Sequence, residues 1–252
     1  MKKLAFLILI ATATTFTACK KDDNNDADPS KTGKVELELE HVFGSTAFAL
    51  NSPNYYVTAN NDSVKFTKLE YFVTNIKLTK SDNSVWTQPD SYYLYDAAAG
   101  GKIEITGVPE GDYKAIEFTI GVDSLRNVSG AQTGALDPAT GMFWSWNSGY
   151  IFLKAEGESP QATGGSFVYH IGGFSGVNKA QRTIALTFGG DEAMVREAAT
   201  PEVHLSVDVA KFFNGTTNLN VASNSTLMMP GAAAAEIANR YVNMFEFEHL
   251  HN

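Results

Sequence analysis

Hydrophobic and polar residues alternate with a period of two along much of this chain. Val35, Leu37, Leu39 and Phe43 interleave with Glu36, Glu38 and Glu40. An extended segment there turns one face to a core and a row of carboxylates to water. The same texture marks Val64–Leu78, expected to be bulged, and then Tyr92–Tyr95, Lys102–Ile105, Tyr113–Ile120, Tyr150–Glu156, Phe167–Ile171, Arg182–Phe188 and Glu202–Val209. Turn-forming residues separate these runs: Asp82-Asn83, Ala99-Gly100-Gly101, Pro109-Glu110-Gly111-Asp112, Gly164-Gly165 and Gly189-Gly190-Asp191. Many short strands at this spacing predict an all-β chain, an antiparallel β-sandwich or barrel. Near the end, Pro230 and Gly231 precede an alanine run that continues to Tyr241. Proline at a start and alanine within predict one short C-terminal helix. A turn of helix is expected over Ala210–Phe213.

The first residues read differently. Met1-Lys2-Lys3 is a basic start, and Leu4 to Phe16 is an apolar stretch too short to span a bilayer as a stable helix. It ends in Thr17-Ala18-Cys19, and Cys19 is the only cysteine. A small residue before a lone cysteine is the pattern of a bacterial lipoprotein cleavage site, so residues 1–18 are expected to be a signal peptide and Cys19 the lipidated residue. No disulfide can then form within the fold. Residues 19–33 are acidic and nearly free of large apolar side chains, as in a flexible tether. A lysine followed by acidic residues there resembles a surface-export signal or is an ordinary solvated linker. The expected place is the outer membrane, on its periplasmic or cell-surface face, held by acyl chains. Residues 34–252 suit one all-β domain. The net charge of −9 excludes nucleic acid as a natural partner.

No HExxH, CxxC or His-Cys cluster occurs among the five histidines, so a metal site must be assembled from distant strands. His41 shares parity with Val35, Leu37 and Leu39, which turns it inward as a core residue or a ligand. His204 shares parity with Ser206 and Asp208, opposite Val203, Leu205 and Val207, which turns it outward. Parity does not decide for His170, but the following Gly172-Gly173 suits the rim of a site. His249 and His251, two apart in Glu248-His249-Leu250-His251-Asn252, read as a solvated tail. If that end docks on the sandwich, both imidazoles share a face and form a possible second metal site. Trp144 and Trp146 share one face of an extended segment near Tyr150. They are core anchors, a stacking platform for sugar, or redox-active rings beside a metal. No local motif supports a catalytic constellation, so no enzyme is expected.

Several ordered blocks resemble the copper-binding MbnP-like family, relatives of the surface copper proteins of methane-oxidising bacteria. They are the strand ending at His41, then Lys68-Leu69-Glu70-Tyr71-Phe72-Val73-Thr74-Asn75-Ile76, Tyr93-Leu94-Tyr95-Asp96, Gly107 to Tyr113, Gly121 to Gly157, and Tyr169-His170-Ile171-Gly172-Gly173. The segment Gly141-Met142-Phe143-Trp144-Ser145-Trp146-Asn147-Ser148-Gly149-Tyr150 is the most specific. The resemblance implies a β-sandwich holding one copper on two strand histidines, which fall on His41 and His170. It also implies a neighbouring tryptophan oxidised to kynurenine by a diheme MauG-type peroxidase. This chain has Leu39 where that tryptophan stands, two residues before the first histidine. Calcium is a further implied ion, with Asp123, Asn127 and Asp137 as oxygen donors. The expected function is copper uptake, storage or redox partnering by a membrane-anchored lipoprotein. The alternative is a metal-free surface protein binding a partner or glycan through an exposed Trp/Tyr platform.

Overall fold

The structure is a computed structural model and describes residues 27–130, 132–145 and 147–252. The predicted signal peptide, Cys19 and Trp146 lie outside the described residues. Ten strands of five or more residues build it: β1 (Thr32–Phe43), β2 (Ser63–Lys80), β3 (Tyr92–Asp96), β4 (Lys102–Pro109), β5 (Gly111–Ile120), β6 (Gly149–Glu158), β7 (Ser166–Gly172), β8 (Arg182–Thr187), β9 (Glu202–Asp208) and β10 (Phe245–His251). They form two facing sheets. The smaller runs β10-β9-β1, with β4 on the first half of β1. The larger runs β8-β5-β2-β6-β7, with β3 on β2.

The alternation in β1 does what it predicts. Val35, Leu37 and Leu39 are buried, and Glu36, Glu38 and Glu40 face out. In β9, Val203, Leu205 and Val207 are buried behind Glu202, His204 and Ser206. Between the sheets, Phe118 and Tyr71 of the larger meet Phe245 of the smaller edge-on, a geometry aromatic quadrupoles favour. The long β2 is bulged twice along β5, as expected. Gly157 lies where β6 shifts register on β2, and a Cβ there would fall 1.9 Å from the Lys65 carbonyl.

Three features depart from the sequence reading. The sandwich is not wholly antiparallel: β1 and β9 pair in parallel, because strands from opposite ends of the domain meet through a long crossover. The segment read as tether is held before residue 34. The Asp28 backbone N–H donates to Glu110, and Lys31 pairs with Glu197. A five-residue helix α1 (Ser124–Val128), capped by Asp123, precedes the expected one. The C-terminal helix α2 spans Ala232–Tyr241 and buries Ala234, Ile237, Ala238 and Tyr241, one face of a 3.6-residue period. The turn expected at Ala210–Phe213 is a 3-10 turn at Val209–Phe212, capped by Asp208.

Candidate metal centre

The chain's end is no solvated tail. β10 pairs antiparallel with β9 along its length, and His249 stands directly opposite His204. Phe245 and Phe247 point toward the core. Were the strand regular, His249 would follow them inward. A bulge lies between the His204 and Leu205 pairings, so that Leu250 turns in opposite Val203 while His249 and His251 turn out. Bulges re-aim side chains in this way.

The outcome is three imidazoles on the outer face of the smaller sheet. The His204 and His249 rings stack with centroids 4.0 Å apart. His251 stands edge-on to both, at 5.1 and 4.9 Å. One ligand nitrogen from each lies within 4.8 Å of the other two. Carboxylates of the β1 and β9 rows border them. Glu202 Oε1 is 3.0 Å from His204 Nε2, and Glu38 Oε2 is 3.7 Å from His204 Nδ1. His204 Nε2 is buried and makes no hydrogen bond, because Glu202 is close but out of line with the ring nitrogen. Lys102 reaches Glu202, Glu36 and Glu38 at 2.5, 3.1 and 3.7 Å. The closeness of the two carboxyls holds that of Glu38 above the usual range and that of Glu202 below it, with Lys102 adding to the second effect.

This donor set fits copper. Three imidazoles with a carboxylate at hand suit Cu(II) and other borderline divalent ions. An unpartnered buried ring nitrogen carries a desolvation cost that coordination removes.

His41 lies inside, as its parity predicts, beside a cavity of about 470 Å³ lined by Phe48, Tyr95 and Glu40. Its Nδ1–H donates to the Leu39 carbonyl, and its Nε2 accepts from the Tyr71 hydroxyl, each at 3.0 Å. The ring stacks on Tyr95 at 5.1 Å. Burial pushes its pKa down to about 4. Both nitrogens are therefore satisfied without a metal.

His170 does not join it. His170 and Glu70 both stand opposite Lys154 in neighbouring registers, on the outer face of the larger sheet. Tyr71, the partner of His41, is the next residue after Glu70 and faces the other way. His170 Nε2–H donates to Glu156 at 2.7 Å, while its buried Nδ1 has no partner. Trp144 shares this face, packed so closely over Gly172 that a Cβ there would come within 2.7 Å of its ring.

Tyr150 is 1% exposed and donates its hydroxyl to the Leu136 carbonyl. It cannot belong to an exposed platform. The oxygens named for calcium are taken up locally. Asp123 caps α1 and accepts from Tyr92, Asn127 accepts from the Tyr150 backbone, and Asp137 caps a 3-10 turn. Among the described residues, the groups that converge for a metal are the histidine trio and Glu38–Glu202–His204.

Sequence parity turned His204 outward correctly but left it alone. The missed signal is the phase change in Phe245-Glu246-Phe247-Glu248-His249-Leu250, where core positions fall two apart and then three.

Compared with known proteins, residues 32–229 match the family model for MbnP. The fold is similar to that of MbnP from Methylosinus trichosporium, with a TM-score of 0.54 at 15% identity over 75% of this chain and 80% of that one. No curated protein matches it in sequence.

Proposed function

This chain belongs to the MbnP family, and from that premise we propose that it is a copper-binding lipoprotein of the cell envelope whose metal is held by His204, His249 and His251. The observation that carries the reading is the convergence of three imidazole nitrogens within 4.8 Å on one sheet face. Family membership supports a copper-related role. The placement of His41 and His170 on different faces favours the trio over the pair that the resemblance implies. His249 and His251 lie beyond the family-matched residues, so the site rests on the C-terminal strand's own geometry. It serves binding, in uptake, storage or redox partnering, rather than turnover, and it needs no oxidised tryptophan. Anchoring through Cys19 puts the site at the outer membrane.

The test is metal content and intact mass of the full chain from its host, followed by Cu(II) reconstitution. About one copper per chain is expected, retained in His41→Gln and lost in the His204→Ala/His249→Ala/His251→Ala variant. Copper that survives the triple substitution sinks the proposal. The mass of the 141–150 peptide shows whether a tryptophan there is oxidised, the modification that a diheme peroxidase partner would make.

A further inference from the structure

Among the described residues, Lys102 is the cation that pairs with the carboxylates beside His204, and it is placed to compete with a metal. Its Nζ lies 2.5 Å from Glu202 Oε1, the same oxygen that stands 3.0 Å from His204 Nε2. Glu202 sits two residues before His204 on β9, on the same face, and pairs in register with His251. It thus borders His204 and lies across from His251, and its oxygen converges with His204 and Glu38. Lys102 also has anions to fall back on, Glu36 at 3.1 Å and Glu38 at 3.7 Å. Its side chain is 37% exposed.

We infer that Glu202 is the fourth, oxygen ligand of the histidine site and that Lys102 is its resident competitor, setting how readily the metal exchanges. With no metal bound, Lys102 neutralises Glu202. When a divalent cation binds the imidazoles, Glu202 turns its oxygen to the ion and Lys102 retreats toward Glu36 and Glu38. An ammonium so close to a second positive charge opposes binding by direct repulsion as well. Removal of Lys102 therefore turns a site tuned for exchange into a tighter one. This inference rests on the copper reading above.

The experiment is Cu(II) titration of the full chain in glycine-buffered copper, with the EPR spectrum of the bound ion as a second readout. Lys102→Met keeps the length and apolar stem of the side chain and is expected to tighten binding about tenfold. Glu202→Gln is expected to weaken it by about 10- to 100-fold and to alter the EPR spectrum, since an oxygen donor is replaced. In the Glu202→Gln background, the gain from Lys102→Met should shrink to about twofold. An unchanged or weaker affinity in Lys102→Met overturns the inference, and so does a gain that persists in full without Glu202. Those outcomes leave the histidine site standing. Copper that His204→Ala fails to weaken overturns both. Unchanged thermal unfolding of the metal-free variants shows that each still folds.

Discussion

The interior histidine and the surface histidines of this sandwich are opposites in one respect that matters for metal binding. His41 has a carbonyl on one nitrogen, a tyrosine hydroxyl on the other and a stacked tyrosine on its face. His204 is likewise half-buried, with its side chain 13% exposed, yet its buried Nε2 has no hydrogen bond and two further imidazoles crowd against it. Burial alone therefore does not separate a structural histidine from a ligand. What separates them is whether both nitrogens are already paired. A metal at His41 must break a buried hydrogen bond and strand the Tyr71 hydroxyl. A metal at His204 supplies a partner that the fold withholds.

The largest effect expected from this contrast is on binding. The triple alanine variant of His204, His249 and His251 should lose Cu(II) affinity by at least about a hundredfold, or about 2.7 kcal/mol. His41→Gln should bind as the wild type does. Equal losses in the two variants would erase the distinction.

Acid should separate the two regions in the opposite sense. Burial pushes His41 down to about 4 from an ordinary 6.5, so between those values the unfolded chain binds a proton that the fold refuses. The stabilisation is complete above about pH 6.5 and disappears as pH falls toward 4. The loss is about 3 kcal/mol if the full shift is realised. Urea unfolding at pH 7, 5 and 4 should show that slope in the wild type and a shallower one in His41→Gln. Parallel curves would mean that His41 does not carry it.

Copper itself should stabilise the fold by way of its outermost strand. The trio joins β10, an edge strand, to β9, so a bound ion links the chain's last residues to the sheet. At a free copper level 100 times the dissociation constant, the gain is about 2.7 kcal/mol. Thermal unfolding should rise with copper in the wild type and in His41→Gln, and not in His249→Ala/His251→Ala. A rise in the last variant would point to a different site.

How far this contrast is visible in the sequence depends on the element. The inward turn of His41 and the outward turn of His204 follow from parity alone, because β1 and β9 are regular where those residues lie. The β-sandwich follows from the period of two, and the C-terminal helix from the proline and alanine run that begin it. The parallel pairing of β1 with β9 does not, since alternation says which face a residue takes and nothing about which strand lies beside it. The trio is hidden for the same reason, and doubly so, because the bulge in β10 reverses the parity that would have pointed His249 inward. His170 is hidden differently. Both faces of β7 are buried there, one by the core and one beneath Trp144 over Gly172, so no polar-apolar contrast marks its side.

The smallest effect expected is at His170. Its Nε2–H donates to Glu156, whose side chain is 32% exposed, and its other nitrogen has no partner to lose. A hydrogen bond to a carboxylate contributes more than a neutral one, but solvent at Glu156 screens it. His170→Gln, which keeps a donor, should cost about 1 kcal/mol in urea unfolding and leave copper stoichiometry unchanged. His170 thus stands with His41 on the structural side of the comparison, although it has the free nitrogen that His41 lacks. It lacks the second and third imidazoles. Should His170→Gln release copper, a free nitrogen beside Trp144 would outweigh convergence, and the metal would belong on the face of the larger sheet.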